Sequence, residues 1–534
     1  MIFSLYFRTT KTQITNIHLL AAILMFKNIS QILLLTVFVL IRCHSQKSRQ
    51  LSEPPKREFR AAWVATVDNI DWPKRGQYDP TQQRNDFIRI LDQHKRSNMN
   101  AIVVQVRNAC DVYYAKSLEP WSEFLTGTQG RYPYPFYDPL AFMIEEAHAR
   151  NMEFHAWFNL NRVILARTKT IAPDHISRIK PEWLLTYNKQ KILNFGIPEV
   201  RDYIAKTVDE VVRGYDIDGV HFDDYFYPYP IKNEVIADEE TFRMYGRGFN
   251  TIQDWRRNNV DLLIAKISET IRNRKHFVKF GISPFPIWQN YGKATPLGSK
   301  THPTSTTTYN ELFADTRKWL EKGWIDYIVP QVYFDRQHAK APYQVLTDWW
   351  AKNSFGRHLY IGHGVFKNKD SWSISEVPTQ LRIDRKTKGI LGGMFFSSKS
   401  VTENYGGFQD TLRANFYRYP ALIPTMPWKD NIAPLPPARI VLSTASGANA
   451  LAWQYGDIAQ DGDENTYFAL YRFSEKDKVT TDKANYLIYV GRNNYFVDTE
   501  AKMDVNYTYL VTSFDRLHNE SKASTMIKTI LAED

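Results

Sequence analysis

Cysteine is the scarcest residue of this 534-residue chain, which holds only Cys43 and Cys110. A disulfide framework is thereby excluded, and stability has to come from a packed core. Cys110, with no partnered histidine in view, reads as a small buried filler and not as a nucleophile. Long apolar runs are also missing. The stretch 32–41 (ILLLTVFVLI) falls well short of the ~20 residues that span a bilayer, which argues against a polytopic membrane protein. No glycine-rich dinucleotide loop follows the first strand-like segment, and no His-Glu-x-x-His ligand pair occurs. Runs of Lys and Arg interleaved with aromatics are absent. The formal charge is +11, but Arg8, Lys11, Lys27 and Arg42 lie in the first 45 positions, which carry no acidic residue. Setting those four aside lowers the excess to +7, a solvated basic surface and not a nucleic-acid footprint.

Aromatic residues are what the chain has in plenty: 14 Trp, 31 Tyr and 31 Phe, or 14% of all positions. Sugar-stacking clefts and large barrel cores both use such a composition. The 43% hydrophobic and 23% charged content is that of a folded globular chain, and the length exceeds one ordinary core, so two domains are expected.

The apolar stretch 32–41 is preceded by Lys27 and followed by Arg42-Cys43-His44-Ser45, the pattern of a secretory signal with cleavage after Ser45. Met25 stands just before it, so residues 1–24 read as an over-long start. Residues 1–45 are therefore expected to be a leader and the mature protein to be exported, to the periplasm, the outer-membrane surface or the medium. Lipid attachment at Cys43 is the second choice, since Arg42 replaces the small residue such sites want; it would be the chain's single membrane contact.

From residue 58 onward short β-branched or aromatic runs alternate with amphipathic helical patterns. Strands are expected at 59–67, 101–107, 153–161, 217–223, 278–283, 327–333, 358–364 and 390–397. Helices are expected at 81–97, 139–150, 198–214, 251–273, 309–322, 343–353, 375–387 and 405–416. Strands joined through helices run parallel, and eight such units favour an α/β protein with a closed (β/α)8 TIM barrel over 57–423. Residues 424–437 hold five prolines and read as a linker. Beyond it, 438–534 carries short alternating strands with Gly, Asp and Asn between them, as in a small all-β sandwich. Trp453 and Tyr507 resemble the core tryptophan and corner tyrosine of fibronectin type III modules, and core packing is their expected role.

Active sites of such barrels sit at the C-terminal strand ends. Those ends carry Arg107, Asn159, Asn161, Tyr225, Gln331, Tyr333 and His363, and the loops after them are rich in Tyr, Trp and Pro, Trp288 among them. Strand parity places His221 and Asp223 on the inner face of the fourth strand, with Val220 and Phe222 outward. Trp157, Asn159 and Asn161 share the inner face of the third, and Gln331, Tyr333 and Asp335 that of the sixth. Glycoside hydrolysis needs two carboxylates, one protonated and one ionised. Asp223 is the first choice as nucleophile or base, with Asp224 as the fallback. Neighbours on a strand point oppositely, so a partner is sought elsewhere, in Asp335, Glu311 or Asp71, although each of these singly has a structural role as its stronger reading. The inner-face polar residues, with Arg107, Tyr225, His363 and Trp288, are then candidates to bind sugar. His155, His221 and His363 fall on three strands without ligand spacing, so neither metal nor cofactor is expected.

Four segments carry a family likeness. EFRAAWVATVDNIDWP from Glu58, DGVHFDDYFYP from Asp218, GISPF from Gly281 and WIDYIVPQVY from Trp324 resemble the glycosyl-hydrolase-like 10 family, in the family's order and over 57–420. One departure is Asn108-Ala109-Cys110-Asp111, where a proline would follow the arginine. The resemblance implies an exported bacterial (β/α)8 glycosidase-like domain, often followed by a fibronectin-like module, with some members acting on peptidoglycan glycan strands stripped of their peptides. The expected substrate is thus a polysaccharide, cell-wall glycan included. The expected activity is cleavage of O-glycosidic bonds, and the alternative is a non-catalytic protein that holds a glycan in the same cleft.

Overall fold

The computed structural model describes residues 53–529 apart from 446 and 503. The leader, with its cleavage and lipidation expectations, lies outside the described residues.

Eight parallel strands close into a barrel: Phe59–Val64, Ala101–Arg107, Glu153–Phe158, Gly219–Phe222, Lys279–Ile282, Tyr327–Ile328, His358–His363 and Ile390–Phe395. They pair in chain order, and the eighth closes on the first with Phe59 opposite Gly392 and Ala62 opposite Phe395. The sixth is only two residues long, because Pro330 has no N–H to give the ladder. Gln331 then rejoins the seventh strand through a single bridge to Gly362.

Helices start where the sequence supplies a cap. Asp79 accepts from Gln82 N ahead of Pro80–Arg96, Asp138 accepts from Leu140 N ahead of Pro139–Ala149, and Thr251 accepts from Asp254 N ahead of Ile252–Arg274. The expected helix 309–322 shrinks to Thr316–Glu321. Glu311 folds back to accept from Thr307, and Phe313 takes a positive φ of 51°, so helical geometry cannot begin before Asp315 caps the turn.

The core has two shells. Val220, Phe222, Ile102 and Val104 face the helices, whereas Phe59, Trp63, Val103, Tyr327 and Tyr360 fill the barrel axis. Gly281 is obligatory here, since a Cβ would sit 1.9 Å from the Tyr327 ring.

Residues 424–437 are anchored to the barrel's lower end. Met426 packs among the axial residues, and Trp428 Nε1 donates to Asp326 Oδ1 at 2.9 Å with its ring edge-on to His358. Among the described residues, seven antiparallel strands follow in two sheets. Ala438–Ala445, Ala448–Gln454 and Tyr495–Asp498 form one, and Leu487–Gly491, Tyr467–Ser474, Tyr507–Phe514 and Ile527–Lys528 form the other. Trp453 is buried between them, edge-on to Phe468. Among the described residues no helix is long and apolar enough to cross a membrane.

Candidate active site

The strand ends open into a cleft of about 320 Å³. Asp223 and Asp224 lie in it, just beyond the fourth strand. The expectation that these neighbours point apart is overturned, because regular strand geometry stops at Phe222 and alternation no longer applies. Both side chains are nearly buried, at 5% and 7% exposure, yet both line the opening.

Asp223 is held from three sides. Its Oδ2 accepts from Trp157 Nε1 and Asn159 Nδ2, each at 3.0 Å, and its Oδ1 accepts from Tyr225 N at 3.2 Å. Asp224 pairs with the Tyr229 hydroxyl and with the Gln331 amide. Burial, and then the Asp224 charge alongside, pushes the Asp223 carboxyl up to about 6; burial raises Asp224 as well. Two like charges this close titrate as a unit, and one proton is retained between them on the acid side of neutrality.

The walls are aromatic. Trp63, Trp157, Tyr225, Tyr333, Phe366 and Phe396 face the opening, and the Arg162 guanidinium stacks 3.7 Å above the Tyr225 ring, within electrostatic reach of both aspartates. Asp68 also lines the cleft, paired to Arg167. Sequence reasoning missed Trp63, Asp68, Arg162, Arg167, Phe366 and Phe396. Parity flagged nothing on the first strand because only polar strand ends were sought there, although Trp63 shares the inward face of Ala61. Arg162 opens the short strand Arg162–Ile164, Asp68 sits in the single 3-10 turn Val67–Asn69 and Arg167 follows in a turn, all of them in connections beyond the barrel strands, where inward–outward parity gives no guide.

Several expected site residues lie elsewhere. His363 faces the helical shell, with Nδ1 3.2 Å from Gln380 Oε1 and Nε2 3.1 Å from Asp384. Gly362, and not His363, takes the inward position, because its missing Cβ makes room for Trp63 and the Pro330 carbonyl. Arg107 is fully buried in a two-pronged pair with Glu119, under the loop rather than in the cleft. Asn161 is buried beside the small sheet of Arg162–Ile164, Gln190–Leu193 and Leu184–Tyr187 and reaches the Leu193 carbonyl at 3.4 Å. Trp288 stacks on Trp349 and donates to Asp315, and Glu311 is spent on Thr307. Asp335 accepts from Gln337 N in the turn after the cleft wall. Asp71 bridges Ala65 N, Ser397 Oγ and Lys399 N. None of these offers a second carboxylate to the opening. Asn159 touches Asp223 without reaching solvent, and His221 lies beneath the floor, bonded to Trp63 and Ser283.

His155 and His221 both engage the Tyr327 hydroxyl and offer no convergent ligand set. Among the described residues, Asp430, Asp461 and Asp463 bring carboxylate oxygens within 4.8 Å of one another, but none of them lines the cleft.

Residues 58–375 match the family model described as Glycosyl hydrolase-like 10. The chain is 42% identical over 482 residues to glycosyl hydrolase YngK of Bacillus subtilis (strain 168), covering 88% of this chain and 92% of that protein. It is 36% identical over 406 residues to glycosyl hydrolase DigH of Escherichia coli (strain K12), covering 68% of this chain and 91% of that one. Among solved structures, the glycoside hydrolase domain of PgaB (BpsB) from Bordetella bronchiseptica aligns over 67% of this chain and 99% of its own, at 11% identity and a TM-score of 0.45.

Proposed function

Because the chain belongs to the glycosyl hydrolase-like 10 family, we propose that it hydrolyses O-glycosidic bonds of a polysaccharide in the cleft around Asp223 and Asp224. The observation that carries the reading is that pair: two adjacent carboxylates, both raised, at the floor of an open aromatic trough. The retained proton is the acid for the departing glycosidic oxygen. The ionised partner offsets the positive charge that develops on the sugar ring and takes the proton released by the water that adds to the anomeric carbon, so the pair ends the turnover with one proton as it began. Trp157 and Asn159 fix the orientation of the Asp223 carboxyl, so that little reorganisation is needed as its proton passes to the leaving oxygen. Stacking on Trp63, Tyr225 and Tyr333 orients the sugar rings.

Two arginines in the walls, Arg162 and Arg167, favour a glycan that carries carboxylates, as peptidoglycan strands stripped of peptide do. On the same reading the chain is exported by its leader, and the C-terminal sandwich is a fibronectin type III-like module that is docked, not free.

The test is product release from purified cell-wall glycan and from a panel of neutral polysaccharides. Asp223→Asn and Asp224→Asn are each expected to lower the rate at least ~100-fold, consistent with loss of general acid–base catalysis. Unchanged turnover in both variants would remove the pair from the mechanism. Tight glycan binding by the wild type with no product from any substrate would instead leave a binding protein.

A further inference from the structure

A second polar system runs down the barrel axis, beneath the cleft. At its lower end the buried Glu153 carboxylate meets Lys279 Nζ, His518 Nε2 at 2.8 Å and His155 Nε2 at 3.0 Å. His155 Nδ1 lies 2.7 Å from the Tyr327 hydroxyl, which lies 3.1 Å from His221 Nδ1. His221 Nε2 lies 3.1 Å from Trp63 Nε1 and 2.9 Å from Ser283 Oγ. Every member of this column is buried.

The two ends dictate where each proton sits. An indole N–H can only donate, so Trp63 makes His221 Nε2 an acceptor and leaves that ring's proton on Nδ1. The Nδ1–H then donates to the Tyr327 oxygen, and the Tyr327 O–H donates to His155 Nδ1. The remaining His155 proton, on Nε2, donates to Glu153. From below, an ionised carboxylate can only accept, which demands the same order. Burial opposes the Glu153 charge, but Lys279, His155 and His518 outweigh it and hold the carboxyl well below its usual range.

His518 belongs to the C-terminal sandwich; the rest of the column belongs to the barrel. We propose that His518 is a positioning residue for the cleft: by holding Glu153 at the foot of the column, the sandwich supports from below, through His155 and Tyr327, the Nδ1–H form of His221 that Trp63 sets from above, and with it the placement of Trp63 and Ser283 beneath the sugar. Both top members line the cleft. The Ser283 carbonyl also accepts from Gln331 Nε2 at 2.8 Å, and Gln331 holds Asp224, so the column reaches the carboxylates. The effect on rate rests on the hydrolase reading, whereas the tautomer is a property of the resting protein.

The experiment is ¹⁵N–¹H correlation spectroscopy of imidazole-labelled full-length protein, beside kcat and KM on glycan. Wild type is expected to show His221 protonated on Nδ1 and His155 on Nε2. His518→Leu is expected to shift the His221 signals and lower kcat about tenfold with KM nearly unchanged, in the range of lost outer-shell contacts. His518→Gln, which keeps a donor toward Glu153, is expected to restore most of both. Should His518→Leu not fold, Tyr327→Phe breaks the column at its middle with the same expected readouts. Wild-type His221 carrying its proton on Nε2, or a folded His518→Leu or Tyr327→Phe protein with unchanged spectrum and kcat, overturns the proposal. A wild type inactive on every glycan would defeat the hydrolase reading alone, since the spectra still decide the column.

Discussion

Asp223 illustrates how one carboxyl acquires its properties from what surrounds it. Three donors fix its orientation, while burial and the adjacent Asp224 raise it to about 6. The sign of the pH dependence follows. With the folded value above the ordinary one, the acid form persists to about pH 6 and is lost above it, so kcat/KM should fall roughly tenfold per pH unit on the alkaline side. In Asp224→Asn the like charge disappears, and the falling limb of the residual activity should move to lower pH. Stability has the same sign: the folded protein resists ionising Asp223, so that cost appears as pH rises from the ordinary carboxyl range through 6. Asp223→Asn should accordingly raise the melting temperature at pH 8 and leave it nearly unchanged at pH 4. A pH–rate profile and paired melting curves check both statements.

The seam that closes the barrel depends on a few side chains between elements, and Asp71 is the clearest. Its Oδ2 accepts from Ala65 N at 2.7 Å, just past the first strand, and its Oδ1 accepts from Ser397 Oγ and Lys399 N, just past the eighth. A carboxylate sought as a catalytic partner thus ties the two edges of the sheet together. Burial raises it to about 6 even against these bonds. Asp71→Ala strands backbone donors at the seam, each unsatisfied group costing about 1–3 kcal/mol when buried. A loss of about 2–4 kcal/mol in urea unfolding is expected on that basis, with activity at low denaturant largely kept.

Barrel and sandwich share a polar interface that no single element would reveal. Arg516 reaches from the sandwich to Asp216 and Asp218 and lies 4.1 Å over the Phe277 ring, while Lys56 and Arg57 at the start of the barrel domain pair with Glu520. Burial works against the Asp218 charge, but His148 and Arg516 overcome it and hold that carboxyl well below its usual range. Arg516→Ala leaves a buried carboxylate short of a partner, which is more damaging than the loss of an exposed pair. Docking should loosen, and proteolytic nicking within 424–437 should speed up on the order of tenfold, since cleavage follows the population of the opened state.

Eight strand-and-helix units and a proline-dense junction were legible in the chain because parity, helical period and caps are local properties. Parity also placed His221, Trp157, Gln331 and Tyr333 on inward faces, as found. Local rules fail where regular geometry ends: Asp224 joins Asp223 because the strand stops at Phe222, and His363 turns outward because Gly362 takes the inner place. The connections after the first and third barrel strands supplied Asp68, Arg162 and Arg167, whose meeting depends on chain segments far apart in sequence. The axial column is the extreme case. Residues from 63 to 518 acquire defined proton positions only when the closed barrel and the docked sandwich exclude water from between them, because a donor that water can satisfy has no need of a particular partner.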